Sequence, residues 1–311
     1  MIPVIVVCGP TASGKTAVGV ELARIYGGEV ISADSMQIYK ELRICTAKPD
    51  REEMGGIPHH LIDIISPDES FSVAQYAELA RQAAEDIRSR EKIPIVVGGT
   101  GLYISALIDN IDFSHVSGDT SLRKDLEQEA RELGTEAMHE RLRSLDPAAA
   151  EAIHPNNIIR VIRAIEMNML SGRTVAENKQ LSRLTPSPYK VCMIGLHTED
   201  RAVLYGRINR RVDKMVEHGL EDEVRRVYSR YSTRTAFNAI GYKEMLPYID
   251  GRCSLDEAID KIKQGTRNYA KRQLTWFRRD DRISWIDMTD IVQYDGIIKN
   301  CMNMVEKSEI M

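Results

Sequence analysis

Ile2–Cys8 is an almost unbroken apolar run rich in β-branched residues, the pattern of a strand buried on both faces of a parallel sheet. A glycine-containing loop follows, and Lys15–Ile25 carries apolar residues at helical spacing. Glu29–Ala33 predicts a second short strand, and Ile93–Val97, closed by Gly98, a third. Between them, Ser72–Arg90 has the mixed periodicity of an amphipathic helix, with Ser70 or Ser72 available as its N-cap. Strand alternating with helix predicts an α/β sheet with right-handed crossovers.

The pattern changes at Thr120. From there to Leu170 every segment is helical and no β-branched run appears, with Pro147 and Pro155 as punctuation. Leu184–Pro188 is an extended exit, and Tyr189–Leu196 is again strand-like. The arrangement predicts one α/β core, residues 1–112 and 189–311, interrupted by a helical insertion at 113–188. Beyond Asp200 the chain is mostly helical.

Composition adds bounds. The chain has 311 residues, 43% of them hydrophobic, enough to bury a substantial core. No apolar run approaches the ~20 residues of a membrane helix, and the N-terminus enters a strand directly, unlike a signal peptide. Cys8, Cys45, Cys192, Cys253 and Cys301 are scattered, which predicts a reducing, cytoplasmic setting and no structural zinc. The formal charge of −4 argues against a nucleic-acid partner only until it is divided. Residues 1–112 carry 10 basic and 16 acidic side chains, a net of −6, whereas residues 201–282 carry 19 and 12, a net of +7. A basic phosphate-binding face and a set of solvated helices both fit that excess.

Gly9-Pro10-Thr11-Ala12-Ser13-Gly14-Lys15-Thr16 matches G-x-x-x-x-G-K-[ST] without mismatch, with the strand before and helix after that the motif requires. Gly14 lets the backbone come close to an anion. The loop N–H groups and the helix N-terminus favour phosphate oxygens. Lys15 neutralises diphosphate charge, and the Thr16 hydroxyl can coordinate Mg²⁺. The motif predicts a P-loop NTPase-like parallel sheet flanked by helices. It specifies a bound diphosphate, not hydrolysis. Such proteins usually place a second metal-binding carboxylate on a later strand. Here Ile93–Val97 runs instead into Gly98-Gly99-Thr100-Gly101.

Asp34 follows the second strand, in Ser32-Ala33-Asp34-Ser35-Met36-Gln37-Ile38-Tyr39. Ligands of open α/β sheets sit at the carboxyl ends of strands, so Asp34 is placed to take a proton from a nucleophile, with Ser35 and Gln37 beside it to hydrogen-bond a polar acceptor. A turn-forming Asp-Ser cap fits the spacing equally well. His59-His60 lacks the i, i+4 spacing of a common metal site.

Taken together with Thr46-Ala47-Lys48-Pro49, His60-Leu61-Ile62-Asp63, Gly98–Tyr103, Pro155-Asn156-Asn157 leading to Arg160–Glu166, Ile240–Glu244 and Lys271–Arg278, these motifs resemble one family over nearly the whole chain, the bacterial tRNA dimethylallyltransferases. The resemblance implies transfer of a dimethylallyl group from dimethylallyl diphosphate to the exocyclic amine of the adenosine 3′ of the anticodon, in tRNAs reading codons that begin with U. It assigns Gly9–Thr16 to the donor diphosphate, with Mg²⁺, and Asp34 to the general base. Ser35, Met36 and Gln37 are then placed against the target nucleotide, and Thr100 and Arg123 at tRNA contacts near a channel mouth. Arg207 is the best match for an arginine holding the diphosphate, with Arg210 and Arg211 as neighbours in register.

Arg160 and Arg163, three apart on one predicted helix, share a face suited to anticodon-stem phosphates. Lys271, Arg272, Arg278 and Arg279 interleave with Trp276 and Phe277, a mixture that RNA binders use and that core packing also explains. A monomeric enzyme is expected. The alternatives are an adenylate isopentenyltransferase, a P-loop small-molecule kinase, and a non-enzymatic RNA-binding protein with a degenerate nucleotide site. The insertion and the basic stretch favour tRNA over free adenylate. The missing Asp after the third strand counts against a kinase, and intact Lys15, Thr16 and Asp34 count against a degenerate site.

Overall fold

The computed structural model describes residues 1–113, 120–231, 236–290 and 294–310. Its strands are β1 (Ile2–Cys8), β2 (Glu29–Ser32), β3 (His59–His60), β4 (Pro94–Gly98), β5 (Tyr189–His197) and β6 (Ile283–Asp287). The first seven helices are α1 (Lys15–Tyr26), α2 (Val73–Ser89), α3 (Gly101–Ile108), α4 (Thr120–Leu145), α5 (Pro147–Ala152), α6 (Ile158–Ser171) and α7 (Val175–Leu181). After β5 come α8 (Arg201–Glu217), α9 (Leu220–Arg230), α10 (Tyr242–Ile249), α11 (Leu255–Phe277) and α12 (Tyr294–Lys307). Two compact units result, one of Met1–Ile108 with Pro188–Met311 and one of Asp109–Ser187.

The first unit holds a six-stranded sheet of order β3-β2-β4-β1-β5-β6, parallel throughout. β1 is central because nearly every position in it is apolar. Val4, Val6 and Cys8 face the cluster built with α2 and α3, while Ile5 and Val7 face the cluster built with α1 and α12. Helix α2 starts at a capping box in which Ser72 and Gln75 satisfy each other's backbone N–H groups. Beyond Asp200 the chain adds a strand to its helices. β6 is an edge strand of five residues in which only Ile283 and Ile286 are buried, too short for hydropathy to separate from a loop. A third cluster joins α8 to α11 with Ile38, Tyr39, Leu42 and Cys45. It gives the segment after β2 a hydrophobic seat on the C-terminal helices.

The second unit is helical, from α4 to α7. Leu126, Met138, Leu142, Val161 and Ile165 form its core. Helix α4 breaks at Gly134, where φ 85° and ψ 171° are open only to glycine. Asp146 joins two helices, accepting from Ala149 N at 3.0 Å as the cap of α5 and from Val175 N at 2.8 Å at the start of α7. Glu166 is fully buried and takes a fork of bonds from Arg123 (Nη2 to Oε1 at 3.0 Å and to Oε2 at 2.9 Å) and one from Arg163 at 2.7 Å. A buried carboxylate needs such partners, so these two arginines hold α4 to α6 as well as offering charge.

Candidate active site

At the carboxyl ends of β1, β2 and β4 lies a cavity of about 550 Å³ within the first unit. Register explains why three loops meet there: Cys8 is level with Gly98, and Ser32 with Val97. The chain leaves β1 into Gly9–Gly14, β2 into Asp34–Gln37 and β4 into Gly99–Thr100.

The β1 loop turns through left-handed conformations at Ala12 (φ 61°) and at Gly14, which caps α1 with φ 86°. Gly9 passes so close to β5 that an added Cβ would stand 2.3 Å from the Leu196 carbonyl oxygen. Thr11 to Thr16 line the cavity, whereas Gly9 and Pro10 form the buried stem of the loop. Lys15 donates its ammonium to the Pro10 carbonyl at 2.6 Å. Burial and then the Arg211 charge push its pKa down to about 8, with Asp34 pulling in the opposite direction. Ser13 Oγ is buried and finds no hydrogen-bond partner among the described residues. A polar orphan inside a loop of anion-binding amides suits a phosphate oxygen.

Opposite, Asp34 Oδ1 accepts from Met36 N at 2.8 Å and Gln37 N at 3.3 Å, which fixes the plane of the carboxyl group. The turn and the chemical role expected of Asp34 are therefore compatible, since one oxygen serves the turn. Thr100 lies behind the cavity wall. Its Oγ1 accepts from Ser35 N at 3.1 Å, and its own N–H donates to Ala33 O at 3.0 Å. Gln37 donates through Nε2 to the carbonyls of Thr46 and Ala47, both at 3.3 Å. Tyr269 lines the wall. Burial holds its hydroxyl protonated.

Two expected site arginines fall differently. Arg207 turns away from the cavity lining and binds the carbonyls of Met288 at 2.7 Å and Thr289 at 3.0 Å, just past β6. Arg211, one helical turn on, lines the cavity beside Lys15, where burial lowers its pKa while the charges of Asp34 and Glu53 act against that. Arg123, Arg160 and Arg163 belong to the helical unit, with Arg160 exposed. In the basic segment, Phe277 is core at 2% exposure. Trp276 is 41% exposed, with its indole where a Cβ on Gly101 would stand.

Sequence reasoning missed Gln273 and Glu223. Gln273 is buried on α11, and its Oε1 accepts from Thr11 N at 2.8 Å while its Nε2 donates to Gly99 O at 2.9 Å. Glu223 is buried on α9. Its carboxylate accepts three consecutive backbone N–H groups, from Arg43 at 2.9 Å, Ile44 at 2.7 Å and Cys45 at 3.1 Å. Cys45, Thr46 and Ala47 line the cavity, so Glu223 sets its outer wall from a distance.

A parallel α/β sheet with an anion loop and a carboxylate facing one another across a cavity defines a phosphate-loop enzyme of the group-transfer kind. A profile of the family described as IPP transferase matches residues 37–280. The tRNA dimethylallyltransferase of Halalkalibacterium halodurans is 50% identical over 302 residues, covering 97% of this chain and 96% of that protein. The crystal structure of a full-length tRNA isopentenylpyrophosphate transferase from Bacillus halodurans superposes with a TM-score of 0.73 at 46% identity, covering 99% and 98% of the two chains. A eukaryotic dimethylallyltransferase acting on tRNA superposes with a TM-score of 0.83 at 31% identity over 97% of this chain and 78% of that one. The chain belongs to the tRNA dimethylallyltransferase (IPP transferase) family.

Proposed function

We propose that the cavity transfers a dimethylallyl group from dimethylallyl diphosphate to the exocyclic N6 amine of the adenosine 3′ of the anticodon, in tRNAs reading codons that begin with U. The observation that carries this reading is the meeting of Thr11–Thr16, Arg211 and Asp34 in one cavity. An anion cradle alone would serve any diphosphate. A carboxylate facing it is what an amine nucleophile needs.

The amine lone pair of adenine is delocalised into the ring, so attack requires a good leaving group and removal of a proton. The bond from the allylic carbon to the diphosphate oxygen breaks as the bond from N6 to that carbon forms. Loop amides, Lys15 and Arg211 take up the negative charge on the departing diphosphate, and the N6 proton goes to Asp34. Ser35 to Gln37 and Thr100 hold the acceptor loop against the base. The Thr16 hydroxyl is a hard oxygen donor suited to Mg²⁺. That ion needs only one or two protein oxygens when a diphosphate supplies others. Bound there, Mg²⁺ supplies further neutralisation of the leaving group.

An anticodon-loop adenosine must leave its stack to enter such a cavity, at about a few kcal/mol. Arg160, with Arg123 and Arg163 on Glu166, and the basic α11 segment would offset that through phosphate contacts. A guanidinium has five donors, so pairing with Glu166 does not exhaust it. The test is incubation with labelled dimethylallyl diphosphate and unmodified tRNA, with AMP and ATP as competing acceptors. Label appearing in tRNA alone is expected. Label in free adenylate, or no transfer to either, would overturn the reading.

A further inference from the structure

We infer that Gln273 is a positioning residue that locks the diphosphate half of the cavity to its acceptor half, so that the two bound substrates meet at reacting distance. The inference rests on the reading of the cavity just given. Gln273 is 262 residues from Thr11 and 174 from Gly99, and its carboxamide is the link between their backbones. Thr11 N–H can only donate and Gly99 C=O can only accept, so the amide has one orientation. Its oxygen holds the phosphate loop. Its nitrogen holds the turn that ends in Thr100, and Thr100 in turn holds Ser35 next to Asp34.

Residue chemistry excludes substitutes. Glutamate could accept from Thr11 but has no donor for Gly99 and brings a negative charge to a site for a diphosphate. Asparagine is shorter by one methylene and cannot span the two backbones. The bridge also accounts for a glycine: a Cβ on Gly99 would stand 2.0 Å from Gln273 Nε2 and otherwise meet nothing closer than 3.2 Å, that next atom also belonging to Gln273. Gly99 is glycine so that the carboxamide can reach its carbonyl.

If the bridge sets registration and not binding, breaking it leaves each half able to take its own ligand and removes their alignment. A misplacement of about 1 Å between reacting groups costs on the order of 100-fold in rate. The experiment compares the full-length protein with Gln273→Met, Gly99→Ala, Gln273→Ala and the Gln273→Ala/Gly99→Ala double variant. Steady-state kinetics with tRNA and dimethylallyl diphosphate is measured alongside equilibrium binding of tRNA and of inorganic diphosphate. We expect kcat to fall roughly 100-fold in Gln273→Met and Gly99→Ala, with both binding constants within a few-fold of wild type. Gly99→Ala adds no further loss in the Gln273→Ala background, because its target is gone. Unchanged kcat with weakened binding, or losses that multiply in the double variant, would overturn the inference. Should Gln273→Met fail to fold, Gly99→Ala alone and in the Gln273→Ala background still decides. Absence of transfer by the wild-type protein would instead count against the proposed reaction.

Discussion

On the donor side of the cavity, Thr11 to Thr16 are consecutive residues whose backbone does most of the work, seated on β1 and α1. On the acceptor side, the wall is assembled from Asp34–Gln37 and Cys45–Ala47, backed by Thr100 and pinned by Gln273 and Glu223 from helices that come more than 170 residues later. The difference is one of sequence distance. A backbone cradle for an anion can be written in eight adjacent positions, because its donors are N–H groups that every non-proline residue carries. A wall shaped to one acceptor needs side chains with both ends satisfied, and only tertiary structure brings those together. Damage should differ accordingly: changes to the donor side alter how tightly the diphosphate is held, and changes to the acceptor side alter alignment and chemistry.

The largest effect is expected at Asp34. Asp34→Asn keeps the Oδ1 that accepts from Met36 and Gln37, so the turn survives, but it removes the basic oxygen. Turnover should fall by about 10²–10⁴-fold, the usual range for a general base, with tRNA affinity retained in a filter-binding assay. Near-normal turnover would leave Asp34 with only its structural part.

Next come the two arginines of α8. Arg211→Met should cost on the order of 100-fold in kcat/KM for dimethylallyl diphosphate, as for loss of one preorganised partner of developing negative charge. Arg207→Met should cost less than about tenfold and lower the melting temperature instead, since Arg207 is bonded to the Met288 and Thr289 carbonyls. The reverse ranking would return the diphosphate to Arg207.

That pair also shows where reading the chain stops. The eight-residue loop, its flanking strand and helix, and Asp34 at a strand end are local patterns, and all were legible. Arg207 and Arg211 lie at i and i+4, on the same face of one helix, so spacing cannot choose between them. What distinguishes them is the turn just past β6, whose Met288 and Thr289 carbonyls bind Arg207, and β6 is a five-residue edge strand with no distinctive pattern. Glu223 and Gln273 were hidden for a related reason. In an amphipathic helix a polar residue reads as solvent-facing, and only partners far along the chain reveal these two as buried.

A smaller effect should appear with pH. Lys15 is a readily titrating cation of the donor side, its pKa pushed down to about 8 from an ordinary 10.5. It therefore loses its charge as pH climbs through about 8, well below the usual range. In the free enzyme, kcat/KM for dimethylallyl diphosphate should halve near pH 8 and decline about tenfold per unit above it. Bound diphosphate favours the charged amine, so kcat at saturation should be flat over that window. Lys15→Arg should abolish the decline, because a guanidinium does not titrate there. A decline that survives in Lys15→Arg would assign the titration elsewhere.

The mildest change is expected at Glu223, and it separates the two sides most cleanly. Glu223→Gln preserves size but replaces two accepting oxygens by one, facing the N–H groups of Arg43, Ile44 and Cys45 and the hydroxyl of Tyr242. The amide nitrogen must also point a donor at a donor. Leaving one or two of these buried groups without an acceptor costs about 1–3 kcal/mol, read as lost stability in a denaturant melt. The loop that holds Gln37 through Thr46 and Ala47 should loosen with it. KM for tRNA should then rise a few-fold while binding of inorganic diphosphate stays as in wild type, because no bond between Glu223 and the phosphate loop carries the disturbance across. Equal losses for both ligands would mean that the two sides respond as one body, and that the division by sequence distance has no energetic counterpart.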